Sequence, residues 1–185
     1  TLLIVPMSIL DNWDRESGKF TPSLSTYVHH GQNRLSGAAL IEKASNSDLV
    51  ITTYSLCFRD EATLANVNWG RIALDEAQNI KNLSAKQTQA VRRISTKQLE
   101  DTSRTVICKR IALTGTPLEN RLEDLWSIFD FLNPGFLGSL EEFRTRFAIP
   151  IERYRNKESS DSLAKVIRPF ILRRLKSDSK IIDDL

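Results

Sequence analysis

Asp75 and Glu76 directly follow the apolar run Arg71 to Leu74, in the string Leu-Asp-Glu-Ala-Gln-Asn-Ile-Lys-Asn. Adjacent carboxylates at the end of such a run suit a magnesium–nucleotide site. One carboxylate holds the hydrated metal, and the other polarises a water in line with a γ-phosphate. Alone, the pair also reads as two solvated acids in a loop. A second polar cluster, Leu113-Thr-Gly-Thr-Pro-Leu-Glu-Asn120, again follows a short apolar run. Gly115 permits a tight turn there, Pro117 fixes the exit, and the hydroxyls of Thr114 and Thr116 can bond neighbouring carboxylates or water. Beside Asp75 and Glu76 such a loop could sense what occupies the site; without them it is an ordinary strand-to-helix turn. His29 and His30 have no cysteine or acid at ligand spacing nearby, which argues against a metal site built on them.

The elements that must position these residues are legible as alternation. Leu2 to Val5, Leu49 to Thr53, Arg71 to Leu74 and Arg110 to Leu113 read as strands, with Ser25 to His29 a weaker fifth. Between them lie helix-like stretches. Ser8 can cap one running through Ile9, Leu10 and Trp13 and halted near Gly18 and Pro22; Ser84 can cap another carrying Ala90, Val91 and Ile94. Leu122, Leu125, Trp126, Phe129 and Leu132 recur at helical spacing until Asn133-Pro134-Gly135 stops them. Strands alternating with helices imply an α/β protein, a parallel sheet covered on both faces, with ligands beyond the carboxyl ends of the strands. Trp13, Trp69 and Trp126 read as packing residues, Trp126 on an apolar helix face. From Leu140 the pattern changes to short charged helices, an irregular polar stretch at Arg155 to Asp161, and the basic apolar run Arg168 to Lys176.

The chain of 185 residues is 41% hydrophobic and 26% charged, which suits one globular domain and excludes a mainly disordered chain. No apolar run is long enough to span a bilayer and no basic-then-apolar segment opens the chain, so neither an anchor nor a secretory signal is expected. Cys57 and Cys108 cannot build a disulfide framework and read as reduced, structural residues of an intracellular protein. Opening at Thr1 inside a strand-like run, the chain reads as a piece of something longer. Residues 81–110 carry eight basic and two acidic side chains, and residues 141–185 carry eleven and eight. Two basic segments on a nearly neutral chain suit a local anionic partner, though a solvated helix face gives the same pattern.

Five blocks now carry a resemblance. Leu113 to Asn120 resembles motif III of the Swi/Snf-type DNA-dependent ATPases of helicase superfamily two, and Asp75 to Gln78 resembles their motif II as a DEAQ box. Ile4-Val-Pro-Met-Ser-Ile-Leu-Asp-Asn-Trp13 is similar to motif Ia, Ile51-Thr-Thr-Tyr54 to motif Ib, and Arg168-Pro-Phe-Ile-Leu-Arg-Arg174 to the start of the family's protrusion. The DEAQ box and Phe147 to Glu152 look most like bacterial or archaeal members. The Gly-x-Gly-Lys-Thr phosphate loop is absent, as are motifs IV to VI, and the link from Ile94 to Lys109 looks longer than usual.

The resemblance implies an incomplete RecA-like lobe over residues 1–138, lacking the phosphate-loop strand, and a short helical extension over 139–185 leading to a second lobe. It implies ATP and Mg2+ as cofactors. Asp75 matches the magnesium-coordinating acid, Glu76 the base that positions the attacking water, and Gln78 the link to motif III; Thr114, Gly115 and Thr116 match the coupling motif. Ser8, Thr52 and Thr53 become candidate contacts to the phosphates of duplex DNA, since hydroxyls grip the backbone without reading sequence. Ser8 can at the same time be a plain N-cap. Arg173 and Arg174 could grip DNA or brace the lobes. The implied function is ATP-driven translocation along double-stranded DNA, remodelling nucleoprotein, in the cytoplasm on the nucleoid or in the nucleus. The rival is a truncated, inactive DNA- or protein-binding module. An RNA-directed helicase is disfavoured by the Arg-Pro-Phe segment.

Overall fold

Five short runs of branched residues pair into one parallel sheet in the computed structural model, which describes residues 1–96, 108–115 and 121–173. The strands are β1 (Leu2–Val5), β2 (Thr26–Val28), β3 (Leu49–Thr53), β4 (Arg71–Leu74) and β5 (Lys109–Ala112), in the order β2-β3-β1-β4-β5. Leu2 lies opposite Val50 on one side and Ile72 on the other, so β1 is the centre of the sheet. All four residues of β1 are buried, as a strand covered on both faces requires. Alternate residues feed opposite faces. Leu2, Ile4, Val50, Ile72 and Leu74 join the large core cluster; Leu3, Val5, Ile51 and Ala73 join a smaller one.

The helices follow the same division. α1 (Leu10–Phe20) covers the small cluster with Leu10 and the half-buried Trp13. On the other face α2 (Gly37–Ser45), α3 (Tyr54–Arg59), α4 (Glu61–Leu64), α5 (Lys86–Thr96) and α6 (Leu122–Leu132) contribute Leu40, Cys57, Leu64, Val91, Ile94 and Phe131. This is a RecA-like α/β sheet. Cys57 and Cys108 are free and buried in it, and Trp69 and Trp126 are buried with their indole N–H groups on the Leu64 and Gly138 carbonyls.

Three local expectations need correction. Ser8 does not cap α1. It lies inside a 3-10 turn, Met7–Ile9, and α1 begins at Leu10 without a side-chain cap. The helix stops where expected, at Phe20 between Gly18 and Pro22, whose ring disfavours a helical residue ahead of it. Ser84 also sits ahead of its helix, its hydroxyl donating to Asn82 Oδ1 at 2.8 Å. The stretch expected to be irregular from Arg155 is helical from Lys157, because Asn156 accepts the Ser159 N–H at 2.9 Å as an N-cap.

The chain divides into two compact units, Thr1–Leu140 and Glu141–Leu185. The boundary falls within α7 (Leu140–Phe143), which runs into a π-helical turn, Arg144–Ala148, then α8 (Ile149–Tyr154) and α9 (Lys157–Ile167). Phe143 and Phe147 are buried with ring centroids 5.6 Å apart, and Arg155 takes a left-handed φ of 51° to end α8. Of the link between Ile94 and Lys109, residues 97–107 lie outside the described residues.

Candidate functional site

Hydrogen bonding beyond the ends of β4 and β5 builds the acidic turn. Asp75 N–H donates to the Ile4 carbonyl at 2.9 Å, Leu113 N–H to Leu74 at 2.8 Å, and Ala77 N–H returns to Leu113 at 2.9 Å. The ladder thus persists one residue past each strand and sets Thr114 against the 3-10 turn Ala77–Ile80. That turn is anchored from below. Ala77 and Ile80 are fully buried, and Ser127 of α6 donates its hydroxyl to the Ile80 carbonyl at 2.6 Å.

Between ladder and turn, Glu76 adopts φ 48° and ψ 55°, a left-handed conformation uncommon for a residue with a side chain. Its N–H donates to Asp75 Oδ1 at 2.8 Å, and its carbonyl accepts from Asn79 Nδ2 at 2.8 Å. The kink lets two half-buried carboxylates part. The Glu76 carboxylate accepts from Gln78 Nε2 at 2.7 Å, and Gln78 Oε1 in turn accepts from the Thr114 hydroxyl at 2.8 Å. One amide therefore spans from the acid to the threonine loop. Gly115 does not take a left-handed φ and has open space beside its α-carbon, so this turn does not depend on glycine's freedom. Thr116 lies outside the described residues.

Two contributors were not foreseen from the sequence. Trp13 donates its indole N–H to Asp75 Oδ2 at 2.6 Å, and Tyr54 donates its hydroxyl to the Asp75 carbonyl at 2.7 Å. Burial raises the Tyr54 pKa, which keeps the phenol a donor. The available signal was placement alone: each side chain follows a strand that flanks or forms the sheet centre.

With one donor on each oxygen, the Asp75 carboxylate retains acceptor capacity on both. A single hard carboxylate beside open solvent fits magnesium, which keeps most of its waters and takes one or two protein oxygens. Among the described residues no group of three His, Cys, Asp or Glu side chains is placed to hold an ion.

The candidate DNA contacts separate. Ser8 is exposed at the carboxyl end of β1. Thr52 is fully buried and its hydroxyl donates to the His29 carbonyl at 3.1 Å, so it has none to offer a phosphate. Thr53 is 3% exposed, and its hydroxyl caps α3 through Leu56 N–H at 3.4 Å. Ser55, exposed and 3.0 Å from Thr53 Oγ1, is the hydroxyl that end of β3 does present. Arg173 is exposed in the second unit; Arg174 lies outside the described residues.

Paired carboxylates and the start of a threonine loop gather at the carboxyl edge of a RecA-like parallel sheet, the edge where open α/β sheets bind ligands. The chain belongs to the SNF2-related domain family, which matches residues 1–182. It is 46% identical over 180 residues to YwqA of Bacillus subtilis, provisionally described as an ATP-dependent helicase/translocase, covering 97% of this chain and 18% of that protein. It is 34% identical over 180 residues to the ISWI chromatin-remodeling complex ATPase ISW1 of Saccharomyces cerevisiae, covering 96% and 15%. The SWI2/SNF2 ATPase core of Sulfolobus solfataricus, solved in complex with dsDNA, matches with a TM-score of 0.81 at 43% identity, covering 100% of this chain and 36% of that one. The chain thus spans less than a fifth of the length of these curated relatives. Among the described residues no helix is long and apolar enough to cross a membrane.

Proposed function

We propose that the chain serves as part of the first lobe of an ATP-dependent duplex-DNA translocase, with residues 1–138 in the lobe and 139–185 leading toward a second lobe. The continuous run Glu76–Gln78–Thr114 beside Asp75 carries this reading. Asp75 would hold magnesium, which when bound neutralises phosphate charge as the γ-phosphoryl group leaves. Glu76 accepts a proton from the attacking water, and Gln78 keeps that carboxylate aimed by donating to it. Thr114 on the far end of the amide makes the loop sensitive to the position of Glu76. Ser8 and Ser55 are the exposed hydroxyls suited to hold duplex phosphates without reading sequence, and that the Sulfolobus relative was solved in complex with dsDNA supports duplex DNA as the partner. Remodelling of nucleoprotein would follow from such stepping.

The test is Glu76→Gln in the full-length protein. Size and hydrogen bonding persist, whereas charge and proton acceptor are lost, so DNA-stimulated turnover should fall about 10²–10⁴-fold. Nucleotide binding should survive and the variant should accumulate with ATP bound. Asp75→Ala should instead weaken magnesium–ATP binding itself. Wild-type hydrolysis by Glu76→Gln would remove the reading and leave a binding module.

A further inference from the structure

Two helices that begin at the hydroxyl-bearing ends of β1 and β3 send a side chain back to the acidic turn. Tyr54 opens α3 and reaches the Asp75 carbonyl, with the Glu76 carbonyl at 3.5 Å. Trp13, one turn into α1, reaches the carboxylate itself. The two bonds differ in kind. Tyr54 fixes backbone, but Trp13 acts on the oxygen pair a cation would bind.

Asp75 is held at two points, Glu76 N–H on Oδ1 at 2.8 Å and Trp13 Nε1–H on Oδ2 at 2.6 Å. With both, the plane of the carboxylate is fixed; with the first alone, it can turn about its last torsion, which is broad for an Asp side chain. The indole is neutral, so it orients the charge without cancelling it. Trp13 is also only half-buried, packed at the margin of the five-residue cluster under α1, while Trp69 and Trp126 are buried and donate to backbone carbonyls. Of the three indoles, Trp13 alone is spent on a carboxylate.

We infer that Trp13 is a positioning residue for the metal-binding carboxylate: its indole N–H holds Asp75 in the orientation that accepts a divalent cation, and ties that orientation to helix α1. The inference rests on the reading of Asp75 as the magnesium ligand. Loss of a group that orients a metal ligand typically costs about 10–100-fold in metal affinity.

The experiment uses full-length protein and Trp13→Phe, which keeps an aromatic ring and removes the N–H. Magnesium is titrated at fixed fluorescent ATP analogue, and binding rather than turnover is read. The expected result is a magnesium midpoint raised about 10–100-fold, with ATPase kcat recovering at saturating magnesium. A fold defect alone would lower the active fraction without moving the midpoint. An unchanged midpoint in Trp13→Phe, when Asp75→Ala abolishes magnesium-dependent binding, overturns the positioning role and leaves the ligand reading intact. An unchanged midpoint in Asp75→Ala overturns the ligand reading, and the inference with it. Should Trp13→Phe fail to fold by circular dichroism, the wild type decides. Metal drawing charge from Asp75 weakens the indole bond, so the indole N–H resonance Raman band must shift when magnesium and nucleotide are added, and a band that stays still overturns the proposal.

Discussion

Glu76 pays for its geometry in backbone strain. A left-handed non-glycine residue costs about 1–2 kcal/mol, and this one is held by Asn79 on its carbonyl and the Asp75 carboxylate on its N–H. The same kink swings its carboxylate to Gln78 and away from Asp75, so strain and site are one feature. Glu76→Gly should therefore hold or raise the melting temperature of the protein while removing hydrolysis. Glycine adopts φ 48° freely, and the lost Gln78 bond lies at a half-exposed position. A fall of several degrees would mean that the side chain, and not function, requires glutamate there. At this scale Asp75, Glu76, Gln78 and Thr114 were readable, because strand ends and motif spacing bring them together. Trp13 and Tyr54 were not. An indole reaching a carboxylate 62 positions away leaves no local pattern, only a tryptophan that reads as packing.

The end of β2 shows how a polar network can fix an element. His29 is fully buried; its Nε2–H donates to Asp60 at 2.9 Å and its Nδ1 accepts from Tyr27 at 3.3 Å. Asp60 also receives Arg34 through two bonds, at 2.7 and 3.2 Å. Burial lowers the His29 pKa against the opposing pull of Asp60. Burial alone would raise Asp60, but the bonds from Arg34 and His29 hold its carboxyl below the usual range. The sign follows: an unfolded chain protonates His29 near its ordinary value of about 6.5, and the folded chain resists until lower pH. Stability contributed here is complete above that value and is lost as pH falls through it and on through the depressed folded pKa. Melting temperature measured from pH 8 to 5 should drop at the acid end, and His29→Gln should flatten the slope; equal slopes would clear His29. The strands themselves were legible from branched residues bounded by turns. The capping at Ser8 and the loop at Arg155 were misread because a serine before an apolar run and a polar stretch each admit two local structures, and Pro6 and Asn156 choose between them.

Across the whole sheet, cover is uneven. β1 is buried throughout and β3 and β4 are buried after their first residue, whereas β5 alternates exposed and half-buried residues, and Ile111 and Leu113 are each 39% exposed. Arg110 and Ala112 turn toward the helix-rich face; Lys109 and Ile111 face the side covered by α1, which packs on β1 and β3 and leaves β5 bare. Among the described residues β5 is the last strand of the sheet and pairs with β4. Beside that edge an open cleft of about 480 Å³ is lined by Cys108, Arg110, Leu132 and Phe136. The resemblance implies a phosphate-loop strand next to the strand that ends at Leu113, which is where this edge lies. An exposed edge with apolar residues templates pairing with another chain. Residues 1–185 prepared alone should therefore self-associate at micromolar concentration, seen as a mass that rises with concentration in light scattering. Ile111→Lys should reduce the association, since a charge on an edge strand opposes pairing, while leaving the fold intact because that side chain is already half in solvent. A strand added to pair with β5 should abolish it. A monodisperse monomer with a cooperative melt would show that the edge protects itself, and Lys109 and Arg110 would then be the residues that do so.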